Sequence, residues 1–437
     1  MPGFLSYVAQ EILPEGRKGA GSAADEEKGL SSRESVYNTL LFVPLQVERL
    51  LTFGNLMCLD AFLGIVTLLP LRLISSAAQF LLLGGVGNPA HCARDLCWAL
   101  QLGATVAFLL HFVHISEIYH YIHGQVQEVI KLYGFMTMLD IFDKILLNLH
   151  SDCLEALSAS CTGVVESVQA RKGLQVRVRG SVRLGLDLLA GTAVLMAHTF
   201  ILICEAIAFS VAVTSGSANL VAILLTNNFN EIKSTVFKNI TVTKVWRMTV
   251  QDIVERFHVA CALTFVVIHS MLLKGTFVPK WSLVTKCLYI IGIEMAVDIV
   301  KHAFAGKFND VKPGIYSEYM RDLCIKATEE KSYNLHRPIG FVPLVPAALI
   351  LRLAVPFWSK AQKAAVASFG EDNVEFWLLV AGFYVAMLAA KLVLGWGLKR
   401  CAAYYVAYYT GAGRRALARS WILGGKMAHG GSRSKID

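Results

Sequence analysis

Four ionisable side chains stand where an apolar stretch should carry none. Residues 283–310 read LVTKCLYIIGIEMAVDIVKHAFAGKFND, and within them sit Glu294, Asp298, Lys301 and His302. The first part, 283–304, is apolar and long enough to cross a bilayer: at 1.5 Å per residue it reaches ~33 Å, against a hydrocarbon core of ~30 Å. A lone charge at the membrane centre costs ~2.5–3.5 kcal/mol on insertion scales, so these groups must face protein or water. Glu294, Asp298 and His302 recur every four residues and therefore share one helical face, while Asp298 also reaches Lys301. Two chemistries suit this face. Two nearby carboxylates resist ionising together, so Glu294 and Asp298 can share a proton or hold a cation. Alternatively, Asp298 pairs with Lys301 near the cytosolic interface and Glu294 is a buried hydrogen-bonding group that locks the helix to a neighbour. The second is the preferred reading, because paired polar groups commonly tie membrane helices together.

Other apolar stretches carry charges of the same kind. Asp60 lies in 53–71, Glu205 in 184–213 beside Asp187 and His198, Arg352 in 339–358 and Lys391 in 374–398. For Asp60, a hydrogen bond to a neighbouring helix is preferred over an ion or proton role. The most metal-like run is HFVHISEIYHYIHGQ, with His111, His114, Glu117, His120 and His123 at steps of three. Imidazoles and a carboxylate suit zinc or iron. Steps of three, however, drift about −60° each around a helix, so only adjacent pairs could share an ion. The expectation is no metal and no cofactor. Gly84-Gly85-Val86-Gly87 follows no strand and does not read as a nucleotide loop.

These residues need a membrane frame to position them. The chain of 437 residues is 55% hydrophobic and 17% charged, which with its long apolar runs indicates a polytopic all-α membrane protein. The net charge of +9 is no argument for nucleic acid, because Lys and Arg collect in loops and in the C-terminal tail. The ten cysteines follow no metal-finger spacing, and Cys58, Cys204, Cys261 and Cys287 read as small core residues. Residues 1–35 have no apolar signal-peptide core.

The expected architecture is a transmembrane helix bundle with interfacial amphipathic helices. A flexible tail, 1–33, precedes a membrane domain, 34–398, and a basic tail, 399–437. Candidate spans are 53–71, 96–115, 184–213, 258–273, 283–304, 339–358 and 374–398, with 73–86 as a re-entrant or interfacial helix. Residues 34–51 suit an interfacial helix that Pro44 breaks or kinks, and Pro70 closes the first span. Residues 125–157 read as one or two amphipathic helices on the membrane or against the bundle. Residues 158–183, with RKGLQVRVRGSVR, read as a basic loop touching anionic lipid. A short amphipathic piece is expected at 244–256, and one helix, 315–328, between the later spans. The basic tail places the C-terminus in the cytosol. Counting back, 306–337 and 215–256 are cytosolic as well, so Asn239 in its Asn-Ile-Thr triplet is expected unmodified. The basic stretch 125–183 then falls on the far side, unless 184–213 is kinked and re-entrant or another short span exists.

Five blocks have a familiar order. They are ESVYNTLLFVPLQVERLLTFGNLMCLDAFLGIVTLLPLRLI, YHYIHGQ with VIKLY, LTNNFNEIKSTVFKN, EMAVDIVKHAFAGKFND with IYSEYMRDL, and RPIGFVPLVPAALILRL. Together, over roughly 34–398, they resemble the transmembrane anterior posterior transformation protein family. The resemblance implies a polytopic endoplasmic reticulum protein. Relatives are linked to lumenal protein folding and stability, in one branch through a membrane partner with a SUN-like domain, and in animals to cilia and axial patterning. It implies no enzymatic activity and supplies no catalytic residues. This chain departs from the family pattern at His123, where an Arg is expected, and at 126–128, which lengthen the gap before the IKLY block.

Two functions follow. One is a non-enzymatic scaffold in the endoplasmic reticulum membrane for folding, quality control or trafficking, in contact with the lipid bilayer and a membrane partner with a lumenal domain. The alternative is an ion or solute transporter or channel using the carboxylates Asp60, Glu205, Glu294 and Asp298 together with Arg352 and Lys391. The ending Arg433-Ser434-Lys435-Ile436-Asp437 weakly resembles a dibasic retrieval signal.

Overall fold

A computed structural model of the chain describes residues 37, 41–83, 87–125, 128–171, 173–215, 241–309, 311, 314–330, 337–369 and 374–410. The N-terminal tail, most of the glycine loop after 83, the stretch holding Asn239 and the tail beyond 410 lie outside them. Among the described residues the fold is all helix: α1 (Val43–Leu63), α2 (Leu69–Leu83), α3 (Pro89–Phe112), α4 (Ile115–Gln125), α5 (Val129–Gln169), α6 (Leu174–Ser215), α7 (Val242–Lys274), α8 (Trp281–Phe308), α9 (Gly314–Glu329), α10 (Leu344–Phe369) and α11 (Val374–Thr410).

Among the described residues six stretches are long and apolar enough to cross a membrane: Val43–Leu82, Pro89–Phe112, Leu174–Val213, Val242–Lys274, Leu344–Lys363 and Phe376–Tyr409. Helix α8 is not among them, and its charges point inward instead. Helix α6 is the hub, with 67% of its most apolar stretch buried, and α11 is the periphery, with 6%.

Several expected breaks are absent, for local reasons. Pro44 sits in the first turn of α1, where a missing N–H costs nothing, so 43–51 is the start of the first long helix and not a separate piece. Pro70 does not end that helix. A wider π turn, Gly64–Leu68, lies just ahead of it and leads directly into α2, so 73–86 is largely a continuation of the first helix. The Tyr384 hydroxyl on α11 donates to the Thr67 carbonyl in that turn at 2.7 Å. At α3, Asn88 accepts from the His91 N–H at 3.3 Å ahead of Pro89, a matched start.

The largest difference concerns 158–183. It is not a loop: α5 runs to Gln169, the chain turns at 170–171, and α6 begins at Leu174. Arg177, Arg179 and Arg183 stay exposed on an extension of α6, so the basic composition marks a solvated helix and not irregular chain. Ser160 on α5 donates to Asp187 on α6, and Asp143 meets His198. The two helices are therefore antiparallel, and α5 runs back along the apolar half of α6. Helix α6 is unbroken, so the kink expected within 184–213 is absent. Likewise 244–256 and 258–273 form one helix, α7. It ends at Gly275, whose φ of 66° is open to glycine at little cost. The helix expected at 315–328 is α9. Helix α11 continues past 398 to Thr410, so the tail expected from 399 begins as helix.

Candidate functional site

Partners from three other helices close the polar face of α8. Cys287, Ile290, Glu294, Val297, Asp298, Lys301 and His302 form the buried side of α8. Asp298 Oδ2 accepts from Arg256 Nε of α7 at 2.6 Å, and Arg256 Nη1 donates to both oxygens of Glu48 on α1 at 3.1 Å. Lys301 Nζ donates to Asp252 Oδ1 of α7 at 2.6 Å and lies 3.4 Å from Asp298. His302 Nε2–H donates to Asp252 Oδ2 at 2.8 Å, and its Nδ1 meets the Tyr316 hydroxyl of α9 at 3.1 Å. Charges alternate along this chain from Glu48 through Arg256, Asp298 and Lys301 to Asp252. That alternation is what low-dielectric burial requires. Burial first, then Tyr319 and Asp252, pushes the Tyr316 hydroxyl above its usual range, so it remains a proton donor.

Charges in the candidate spans also bond across helices. Asp60 on α1 is fully buried and pairs with Lys391 on α11 at 2.5 Å. Arg352 on α10 donates from Nε to the Leu109 carbonyl at 2.9 Å and from Nη2 to that of Val113 at 3.0 Å. It thereby caps the end of α3, where a helix leaves carbonyls unsatisfied. Glu294 does not pair with Asp298. It borders a cavity of about 340 Å³ that Glu48, Asn55, Arg256 and Met295 also line. Glu205 is not part of this face. It lies on α6.

A second polar centre joins α5, α6 and α7. Asp143 Oδ1 accepts from His198 Nε2–H at 2.9 Å and Oδ2 from His258 Nδ1–H at 3.2 Å. Both imidazoles are buried, and the fully buried His150 ring is centred 5.8 Å from that of His198. Four ring nitrogens here, both of His150, Nδ1 of His198 and Nε2 of His258, have no hydrogen-bond partner. Each buried orphan costs ~1–3 kcal/mol. Lys144 beside this centre bridges Asp140 at 2.8 Å and Glu255 at 3.8 Å. Among the described residues this is the one group of three or more His, Cys, Asp or Glu with metal-like proximity. The histidine run is not, because the chain breaks helix at Val113 and His114: His111 ends α3, while His120 and His123 pack around Tyr119 on α4. Sequence reasoning did not join Asp143, His198 and His258. They lie 55 and 115 residues apart, so no local spacing announces them.

This arrangement can be set beside known proteins. A model of a eukaryotic membrane protein family matches residues 89–407. The mouse transmembrane anterior posterior transformation protein 1 is 33% identical over 410 residues, 89% of this chain and 67% of its own. The chain belongs to the transmembrane anterior posterior transformation protein family. The Xenopus laevis homologue of that protein is 33% identical over 367 residues, 80% of this chain and 64% of its own length. The Arabidopsis thaliana protein POLLEN DEFECTIVE IN GUIDANCE 1 is 31% identical over 380 residues, 86% of this chain and 58% of its own. The chain thus spans about three fifths of these last two relatives' lengths. No solved structure matches it. The family match covers α3 to α11 up to 407 and so includes Asp143, His198, His258, Arg256 and Asp298, while Glu48 and Asp60 precede it.

Proposed function

We propose that this member of the family is a non-enzymatic scaffold of the endoplasmic reticulum membrane, with its C-terminal tail in the cytosol. It holds a membrane partner with a lumenal domain and serves folding, quality control or trafficking, on which the family's links to cilia and patterning would rest. The observation that carries this reading is the use made of the intramembrane charges. Asp60 pairs with Lys391, Asp298 with Arg256, Lys301 with Asp252, and Arg352 with two carbonyls. Each ties one helix to another. Such ties fix a shape, whereas a transport path needs groups that change partners. The outer face of α11, with Trp377, Leu379, Phe383 and Trp396 exposed, is apolar surface for lipid or a partner helix.

The test is affinity purification of tagged full-length protein in mild detergent with quantitative identification of co-purifying proteins. A stoichiometric membrane protein with a lumenal domain is expected. A clean preparation with no partner counts against the scaffold. One observation favours the transport reading, namely Glu294 beside its cavity. Under that reading Glu294→Gln abolishes flux in proteoliposomes at unchanged yield. Under the scaffold reading no flux is seen with either protein.

A further inference from the structure

We propose that Asp143, His198 and His258 bind one divalent transition-metal ion of the zinc class, which clamps α5, α6 and α7 together. One ligand atom from each residue lies within 4.8 Å of the others. His198 Nε2 lies 2.9 Å from Asp143 Oδ1 and His258 Nδ1 3.2 Å from Asp143 Oδ2, close to the ~3.0–3.4 Å between neighbouring ligand atoms that bonds of ~2.1 Å imply. An ion seated against Asp143 takes the place of the two N–H protons that now bridge carboxylate and imidazoles and draws the two imidazole nitrogens together around it. Two imidazoles and one carboxylate suit Zn²⁺, Fe²⁺ or Mn²⁺, not Ca²⁺ or Mg²⁺, which prefer oxygen.

Three further features point the same way. His150, His198 and His258 are at least 98% buried, at 0%, 0% and 2% exposure. The surroundings are acidic: Asp140 and Glu255 outnumber Lys144, so a divalent cation lowers the local charge imbalance. A cavity of about 590 Å³ lies close by, lined by Lys144, next in sequence to Asp143, and by Val254, one turn before His258, with Ser151 and Gln251 adding polar walls, though by none of the three ligands themselves.

The experiment uses full-length protein in mild detergent, purified through a tag without histidines. Metal content is measured by elemental mass spectrometry as isolated and after dialysis with a tenfold excess of ZnCl₂. X-ray absorption at the zinc edge then counts imidazole ligands. One ion per chain is expected, with two imidazoles and oxygen donors in its sphere, and a Tm that falls on chelation and recovers with Zn²⁺. His198→Gln and His258→Gln are expected to lose more than about nine tenths of the ion, while His120→Gln in the histidine run keeps it. Wild-type protein that takes up less than about a tenth of an ion overturns the proposal. So does an ion retained in both His198→Gln and His258→Gln, or a sphere with no imidazole. If those variants fail to fold, the wild-type uptake and absorption spectrum decide alone.

Discussion

Removing Arg256 tests whether the α1–α7–α8 network is held by charge balance. In Arg256→Met the apolar stem is kept and the guanidinium is lost. Asp298, almost fully buried, then shares Lys301 with the equally buried Asp252, so two carboxylates face one ammonium. Glu48 is a quarter exposed and can turn outward. Breaking a buried pair by deleting one partner costs ~3–5 kcal/mol, whereas replacing both by apolar groups is often neutral. The single variant is therefore expected to lose ~3–5 kcal/mol. Arg256→Met with Asp298→Leu is expected to recover most of it, a coupling of at least about 2 kcal/mol. At roughly 2 °C per kcal/mol for a large domain, the single variant melts ~6–10 °C below the parent and the double within a few degrees of it. The assay is thermal unfolding in detergent followed with a thiol-reactive dye, since Cys58, Cys261, Cys287 and Cys324 are buried in the fold. A double variant that melts as low as Arg256→Met or lower refutes the reasoning, because it shows that the loss came from packing and not from an unbalanced charge.

Gly54→Ala should be costly, because a Cβ there would lie 2.4–2.8 Å from three side-chain atoms of Ile253. A loss of ~1–3 kcal/mol is expected, and Ile253→Ala in the same protein should restore part of the lost Tm. Arg352→Lys should fail to substitute for Arg352, since one ammonium cannot reproduce a fork that serves two carbonyls. Faster amide exchange at 109–115 and reduced yield are expected, and unchanged exchange would show the cap to be dispensable. Cys324 on α9 should resist alkylation in folded protein at pH 8. Burial first, then Cys401, pushes its thiol up to about 12, so only about one molecule in ten thousand is thiolate. The sign for stability follows: this thiol favours the fold fully below the unfolded value near 9, and the benefit is lost as pH climbs toward 12. Mass-resolved labelling across that range checks both statements.

Local periodicity made some of this legible. The four-residue repeat of Glu294, Asp298 and His302 identified a buried face, and the Asp298–Lys301 contact is the three-residue step that spacing allows. Helix α9 was found to within one residue at each end. Elsewhere, composition misled. The stretch RKGLQVRVRGSVR is polar enough to read as loop, yet polar residues also cover a helix that projects beyond the apolar layer, and α5 and α6 are such helices. Pro70 read as a stop because sequence does not display a π turn. The partners of the α8 face were beyond reach for another reason. Arg256 lies 42 residues from Asp298 and 208 from Glu48, and only the packing of α7 between α1 and α8 brings them together.

That packing explains why the charges are where they are. Between helices in lipid, apolar surface gives little preference for one neighbour over another, since acyl chains are as apolar as leucine. Helix α7 must nevertheless choose α1, α6, α8 and α10 in one register. It carries Asp252, Arg256 and His258 at successive steps on a mostly apolar helix. Asp252 and Arg256 can be satisfied only when α8 presents Lys301, His302 and Asp298, and His258 only when α5 presents Asp143. A rotated or shifted α7 would strand several buried polar groups at ~1–3 kcal/mol each, more than nonspecific packing could return. The polar residues of α7 thus act as a code for helix order.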